Sequence, residues 1–228
     1  MKLRDYSETT PIQYEEGKTV FMGMEIMVDP RVLIPRPETE LLVKKTAETA
    51  MGAGMESPRI LEIGTGSGVI ALGLTKLMSG CSVISADISE EALQAAAANI
   101  EARGAGERIK LVRSDMFSVF GYSYRGVFDI IVSNPPYVSD KDYSELDAWV
   151  RAEPEVALRA GSEGMDHLRT LAEEAPTYLR NGGFLAVEIG YDQADKVKNA
   201  FRTAGLKDIR SFVDLNGYER VITGVKRG

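Results

Sequence analysis

The hydrophobic and polar positions of this chain form short apolar runs that alternate with longer segments of helical spacing. From residue 57 onward the apolar runs are five or six residues long, which is typical of strands buried in a parallel sheet. Their alternation with helices predicts an α/β fold, with a mostly parallel seven-stranded sheet and an antiparallel last strand. The predicted strands are 59–63, 82–87, 109–113, 127–132 and 184–189, with a closing hairpin near 209–214 and 220–225. The predicted helices are 37–51, 69–78, 90–102, 166–179 and 194–204.

The N-terminal part follows a different pattern. Residues 20–28 predict a short hairpin interrupted by a glycine, and we expect residues 1–35 to form an extension ahead of a single α/β domain at 36–228. Prolines on both sides of Arg36 hold the backbone extended, and Pro37 suits the first turn of a helix. A capped helix with no further role explains this segment equally well.

A proline-rich corner follows the predicted strand at 127–132. Prolines cannot donate to a strand ladder, and the residue before a proline is held extended, so we expect Asn134 at the carboxyl end of this strand. Ligands bind at that edge of an open α/β sheet. The side-chain oxygen of Asn134 and the carbonyl of Pro135 suit the two hydrogens of a planar NH₂ group, on which the ring of Tyr137 could stack.

A glycine-rich turn, Glu62-x-Gly64-x-Gly66-x-Gly68, links the first predicted strand of the domain to the next helix. Glycines at such a turn let a ligand approach the backbone closely. The third glycine comes one residue too early for a dinucleotide fingerprint, and no Gly-Lys-Ser/Thr follows for a nucleoside-triphosphate loop. The spacing matches the loop that methyltransferases wrap around the amino-acid end of S-adenosylmethionine. A purely structural role for the glycines is the alternative.

Further polar residues stand where the next strands end. Asp87 ends the second predicted strand, about twenty residues after the glycine turn, where an acidic side chain accepts ribose hydroxyls. Asp115 and Met116 follow the third strand and would lie beside the adenine. An aspartate at a strand end is often only the N-cap of the next helix. Because these residues, the glycine turn and the proline corner end successive strands, the sequence favours a methyltransferase.

Composition narrows the possible partners and compartments. The chain has 228 residues, of which 44% are hydrophobic and 27% charged, and this is enough for one substantial core. The net charge of −7 disfavours broad contact with nucleic acid. Cys81 is the only cysteine, which excludes an intrachain disulfide and a cysteine-based metal site. No apolar run approaches the ~20 residues of a membrane span, so we expect a cytoplasmic protein without a membrane partner.

With these residues placed, the sequence resembles the PrmC/HemK family, the glutamine methyltransferases that modify peptide chain release factors. Asn-Pro-Pro-Tyr alone is shared with adenine- and guanine-modifying enzymes, whereas its combination with Ile-Pro-Arg-Pro-Glu-Thr-Glu is highly specific. The resemblance implies a Rossmann-like class I methyltransferase fold, S-adenosylmethionine as methyl donor and no metal. The matching segments are 32–40, 64–68, 134–137, 153–158, 161–166, 188–193 and 214–221.

The resemblance also implies a site and a chemistry, namely methylation of the amide nitrogen of a glutamine in a Gly-Gly-Gln loop. The implied cofactor-binding residues are Glu62, Gly64, Thr65, Gly66, Ser67, Gly68, Asp87, Asp115, Met116 and Asn134. Asn134 and Pro135 would each accept one amide hydrogen, and the implied catalytic residues are Asn134, Pro135 and Tyr137. The implied substrate-binding residues are Asn134, Pro135, Pro136, Tyr137, Phe21 and Arg36.

Several side chains near these motifs are given smaller roles. The long segment 138–165 is charged and irregular, and we expect it to shape the peptide pocket. We expect His167 to be structural and Trp149 to serve in packing. No general base is assigned, because the amide nitrogen becomes acidic once it is methylated.

Bacterial members of the family usually carry a helical domain before the catalytic region, and this sequence does not include one. We therefore expect a release factor to be held by the catalytic face alone, a separate subunit to replace that domain, or the substrate to differ. An N6-adenine methyltransferase acting on RNA or DNA is the nearest alternative, and the acidic charge disfavours it. A non-catalytic cofactor-binding subunit is another, and the intact Asn-Pro-Pro-Tyr corner disfavours that.

Overall fold

The computed structural model describes residues 10–228, which form a two-stranded hairpin and a seven-stranded sheet covered by helices. The strands are β1 (Lys18–Phe21), β2 (Met24–Met27), β3 (Arg59–Ile63), β4 (Ser82–Asp87), β5 (Ile109–Arg113), β6 (Phe128–Ser133), β7 (Leu179–Glu188), β8 (Lys207–Val213) and β9 (Glu219–Val225). The helices are α1 (Ile12–Glu16), α2 (Pro37–Gly52), α3 (Val69–Leu77), α4 (Glu90–Ala102), α5 (Asp140–Glu145), α6 (Ala148–Arg151), α7 (Asp166–Tyr178) and α8 (Ala194–Thr203). None of the helices in this part of the chain is long and apolar enough to cross a membrane.

The large sheet has the strand order β5-β4-β3-β6-β7-β9-β8. The strands from β5 to β7 are parallel, and β9 runs antiparallel to both of its neighbours. The predicted mostly parallel sheet with an antiparallel last strand is therefore confirmed. The chain moves outward from β3 to β5 and then returns to the other side of β3 as β6. This reversal creates a crevice at the carboxyl ends of β3 and β6, where open α/β sheets bind ligands.

The central strand β6 is buried on both faces, as its continuous apolar run predicts. Ile130, Ile131 and Val132 have no exposed surface. Ile130 and Val132 pack into the hydrophobic cluster on one face of the sheet, while Ile131 packs into the cluster on the other. Alternate side chains of β6 thus pack against the helices on both faces of the sheet. Because β6 is buried in the core, it fixes the position of the proline corner that follows it.

The N-terminal hairpin packs against the domain instead of standing apart from it. The Asn99 side chain on α4 accepts a hydrogen bond from the Met27 amide at 2.8 Å and donates to the Met27 carbonyl at 2.9 Å. The same amide group donates to the Ser67 carbonyl in the glycine turn at 3.0 Å. Through the Asn99 side chain, the hairpin therefore supports the glycine turn, where the methyl donor is expected to bind.

Two segments differ from the sequence prediction. The stretch 138–165 is not simply irregular, because it contains α5, α6 and a 3₁₀ turn at Glu155–Ala157. Strand β7 begins at Leu179 instead of 184, and it includes Gly183, where an added Cβ would lie 2.8 Å from the Asp129 carbonyl oxygen. Because Gly183 has no side chain, β7 can approach β6 closely at this position.

Candidate functional site

A deep cleft opens at the carboxyl ends of β3, β4, β5 and β6, where the sequence places the ligand site. The space between its walls is about 1060 Å³, including the open mouth. Of the residues predicted from sequence, its lining contains Gly64, Thr65, Gly66, Ser67, Asp87, Asp115, Met116, Asn134, Pro135 and Pro136. The strand ends therefore bring the glycine turn, the acidic strand ends and the proline corner into one wall.

The glycine turn is shaped by left-handed backbone conformations that side chains disfavour. Gly64 and Gly66 have φ values of 82° and 52°. The Gly64 and Thr65 amides donate to the Ala86 carbonyl at 2.8 and 3.1 Å, which pins the turn to the end of β4. A Cβ added at Gly66 would meet no atom within 4 Å, so the backbone there faces open space. The turn therefore leaves room for a ligand against its backbone, and its contact with the amino-acid end of S-adenosylmethionine stays a prediction.

Gly68 lies outside the cleft lining, and its part in the site is indirect. It has a φ of 83° and precedes α3 as its N-cap. A Cβ at this position would lie 3.3 Å from the Ala96 Cβ on α4. The third glycine therefore permits close packing of the turn on α4, and it stands outside the lining of the cleft in which the cofactor is expected.

Glu62 is likewise outside the cleft, buried beneath the turn with no exposed surface. Its carboxylate accepts a hydrogen bond from the Ser85 hydroxyl, which lies 2.8 Å from the Thr65 hydroxyl. When Glu62 is ionised, Ser85 donates its proton to the carboxylate, and Thr65 then donates to Ser85. Glu62 thus supports the turn through two hydroxyls, and the sequence prediction of direct cofactor contact is corrected to this indirect role.

Burial gives Glu62 a perturbed titration. Desolvation raises the pKa of its carboxyl group to about 8, and the negative charge of Asp87 adds to this rise. The hydrogen bond from Ser85 acts in the opposite direction and lowers the pKa. The folded protein therefore holds this proton more tightly than the unfolded chain, in which the pKa is 4.5. The contribution of Glu62 to the free energy of unfolding is fully present below about pH 4.5, and it is lost as the pH rises through about 8.

We expect Glu62→Gln to flatten this part of the stability profile. Glutamine keeps an acceptor for Ser85 but has no charge to bury. The free energy of unfolding of the variant at pH 8.5 should therefore exceed that of the wild type by an amount on the order of 2 kcal/mol. Thermal unfolding between pH 5.5 and 8.5 measures the effect, and Glu101→Gln, on the exposed face of α4, is the matched control. Parallel profiles for wild type and Glu62→Gln would contradict the assignment.

Asp87 at the end of β4 braces the glycine turn while still facing the cleft. Its Oδ2 accepts from the Gly66 amide at 2.9 Å, and its Oδ1 accepts from the Ser89 amide at 2.9 Å. Each carboxylate oxygen has a further lone pair, and the side chain is only half-buried. The geometry is therefore compatible with the ribose contact predicted for this residue.

The end of β5 reaches the cleft through an unusual backbone. Met116 has a φ of 46°, a left-handed conformation that is rare outside glycine. The Ser114 hydroxyl donates to the Met116 carbonyl at 2.8 Å and supports this turn. Strained residues of this kind concentrate at binding sites, and Met116 lines the cleft, so its place beside the adenine stays a prediction.

The Asn134 side chain is held at the proline corner by partners from two distant elements. Its Nδ2 donates to Thr39 Oγ1 on α2 at 3.1 Å, and Thr39 Oγ1 donates to Glu188 Oε2 at the end of β7 at 2.8 Å. The Tyr137 hydroxyl donates to Glu188 Oε1 at 3.4 Å. Tyr137 is half-buried and does not line the cleft, and burial together with the Glu188 charge raises the pKa of its hydroxyl.

Phe21 and Arg36 do not reach the cleft. Phe21 is 1% exposed and belongs to the hydrophobic core, so the expected contact with substrate is wrong for its side chain. Arg36 donates to the buried carboxylate of Glu153, and its guanidinium lies 6.0 Å from the centre of the Trp149 ring. Glu153 also accepts from the Ile34 amide at 2.9 Å. Arg36 therefore ties the segment before α2 to the segment after β6, and its contact with the peptide stays a prediction.

Two residues at the site, Thr39 and Glu188, were not assigned a role from sequence, and a third, His167, was assigned a different one. His167 lines the cleft, although its predicted function was structural. Thr39 also lines it, and Glu188 is 1% exposed behind it. Both stand in segments that carry the family resemblance. The sequence signal that could have identified Glu188 is a glutamate at the end of an otherwise apolar strand. A glutamate is buried there only if hydrogen-bond partners satisfy its carboxylate.

Sequence and structure comparisons agree with one another. The family model described as "Methyltransferase small domain" matches residues 37–162. The release factor glutamine methyltransferase of Chlorobaculum tepidum is 39% identical over 222 residues, which are 95% of this chain and 75% of the relative. The protein of the same name from Streptococcus pneumoniae is 42% identical over 214 residues, which are 93% of this chain and 74% of the relative.

A solved structure extends the likeness to the fold. The release-factor-specific protein-(glutamine-N5) methyltransferase of Alicyclobacillus acidocaldarius superposes with a TM-score of 0.52 at 30% identity, covering 89% of this chain and 100% of that one. Identity at this level over nearly the whole chain, together with the predicted cleft residues in one wall, leaves one conclusion. The chain belongs to the release factor glutamine methyltransferase family, whose members use S-adenosylmethionine.

Proposed function

We propose that this protein transfers the methyl group of S-adenosylmethionine to the side-chain amide nitrogen of a glutamine, in the Gly-Gly-Gln motif of a peptide chain release factor. The observation that carries the proposal is the junction of two motifs in one wall. A Cβ built on Gly64 of the glycine turn would lie 3.6 Å from the Asn134 carbonyl oxygen. A methyl donor held by the turn and an amide held by the corner would therefore be neighbours.

The proposed reaction makes clear demands on the chain's own residues. The bound sulfonium supplies an electrophilic methyl group. As the new N–CH₃ bond forms, the S–CH₃ bond breaks with its electrons going to sulfur, and the nitrogen then releases one proton to solvent. Asn134 and Pro135 would accept the two amide hydrogens and aim the nitrogen, and orientation of this kind supplies roughly 7–11 kcal/mol in well-ordered systems. The sulfonium is itself the electrophile, so the proposal includes no metal.

The remaining roles follow from position in the cleft. We assign the methionine end of the donor to residues 64–67, the ribose to Asp87 and the adenine to Asp115 and Met116, all of which line the cleft. The domain at 36–228 would carry these functions. Because release factors act on the ribosome, the enzyme would work in the cytoplasm without contacting a membrane or nucleic acid directly.

The test is incubation of the purified protein with isotopically labelled S-adenosylmethionine and purified release factors, followed by mass spectrometry of the Gly-Gly-Gln peptide. We expect a single added methyl on the glutamine, and none on a factor whose glutamine is replaced by alanine. Label transferred instead to an RNA or DNA oligonucleotide would favour the adenine-modifying alternative. Absence of transfer to any acceptor, with the donor bound, would favour a non-catalytic subunit.

A further inference from the structure

Asn134, Thr39 and Glu188 form a hydrogen-bonded row that leads from the proline corner into the protein interior. The Asn134 Nδ2 lies 3.1 Å from Thr39 Oγ1, which lies 2.8 Å from Glu188 Oε2. Thr39 is 3% exposed and Glu188 is 1% exposed, so solvent does not compete for these bonds. The three residues come from the end of β6, the first turn of α2 and the end of β7.

The chemistry of the three groups gives the row a single direction. An ionised carboxylate only accepts hydrogen bonds, so the Thr39 hydroxyl must donate its one proton to Glu188. The Thr39 oxygen is then left as an acceptor towards Asn134. Only the NH₂ end of the Asn134 carboxamide satisfies it, so the carboxamide oxygen must point away from Thr39.

We propose that Thr39 and Glu188 are positioning residues, which hold the Asn134 carboxamide with its oxygen turned towards the methyl-accepting amide. The orientation of Asn134 follows from the row itself, whereas its use in accepting an amide hydrogen rests on the proposed function. Without the row, the two ends of a carboxamide are nearly equal in size and either could face the substrate. An NH₂ group in that position would repel the substrate hydrogens.

The protonation state of Glu188 decides whether the hydrogen bonds of the row keep this donor-to-acceptor direction. Burial raises its pKa to about 7, and the neighbouring carboxylate of Glu38 adds to the rise, while the Thr39 and Tyr137 hydrogen bonds and the Arg220 charge oppose it. Protonation would turn Glu188 into a donor towards Thr39, and Thr39 could then donate to the Asn134 oxygen. The reversed row would present the NH₂ end, so activity should rise with pH through about 7.

Substitutions of threonine on α2 provide the kinetic test. Thr39→Val keeps the shape but removes both bonds, and we expect kcat to fall about 10- to 100-fold, with affinity for the demethylated cofactor within about twofold of wild type. Thr39→Ser restores the hydroxyl and should recover most of kcat. Thr46→Val is the matched control, because Thr46 lies on the same helix, is fully buried, and its hydroxyl has no hydrogen-bond partner among residues 10–228. Wild-type kcat in Thr39→Val, or equal loss in the valine and serine variants, would overturn the proposal.

A spectroscopic test separates this inference from the proposed function, because it needs no methyl acceptor. The side-chain NH₂ signals of ¹⁵N-labelled asparagine include one pair that should vanish in Asn134→Ala. In the wild type, we expect that pair to titrate with a midpoint near pH 7, and in Glu188→Gln to be independent of pH across that range. An Asn134 pair whose signals are unchanged in Thr39→Val, or that titrates unchanged in Glu188→Gln, would reject the row even if methylation of a release factor is observed. The expected titration would support it even if no release factor is methylated.

Discussion

Replacing Asn134 by alanine is expected to lower the rate constant of methyl transfer by roughly 10²- to 10³-fold, the usual cost of removing one oriented hydrogen-bonding group from an active site. The variant lacks the side-chain oxygen that would accept an amide hydrogen. The substrate nitrogen is then no longer oriented towards the methyl group. Binding of the donor should change little, because the glycine turn is held to the Ala86 carbonyl by its own amides and not by this side chain.

Single-turnover measurement with a saturating donor gives the rate constant, and calorimetry with the demethylated cofactor gives the affinity. The matched control is Asn181→Ala, an exposed asparagine near the start of β7 at the opposite edge of the sheet, which should behave as wild type. A variant at Asn134 that turns over normally would remove this residue from the catalytic assignment. Equal losses of rate and affinity would mean that it serves mainly to bind the donor.

Replacing Asp87 by alanine is expected to have the opposite profile, with affinity for the cofactor falling by roughly 10²- to 10⁴-fold and the rate at saturation far less affected. Hydrogen bonds from two ribose hydroxyls to a charged acceptor are each worth about 1.5–3 kcal/mol. Loss of the carboxylate also frees the Gly66 and Ser89 amides that Asp87 now accepts from, so the turn loses a brace as well as a ligand contact.

The affinity is measured by calorimetry with S-adenosylmethionine and with its demethylated product. Asp87→Asn should lie between wild type and alanine, because one side-chain oxygen remains as an acceptor. Asp195→Ala, an exposed aspartate in the first turn of α8, is the surface control. If Asp87→Ala binds both compounds as wild type does, the ribose must be held elsewhere in the cleft.

The sequence by itself determined the elements and the order of the residues at their ends. Helix α4 and strands β4 and β5 have the bounds that their local pattern predicts, because alternation, helix propensity and N-capping act over a few neighbouring residues. Once the strands are parallel, their carboxyl ends lie at one edge. That is sufficient to bring Gly66, Asp87 and Asn134 into one wall without knowledge of side-chain packing.

Only the tertiary structure decided which side chains touch one another across elements. Thr39 is 95 positions from Asn134 and 149 from Glu188, and no local pattern records that α2 packs where these residues meet. Packing likewise placed Phe21 in the core and Glu62 beneath the glycine turn, although both belong to segments near the site. Periodicity tells which face of an element is buried, whereas the partner on that face depends on the register and approach of distant segments.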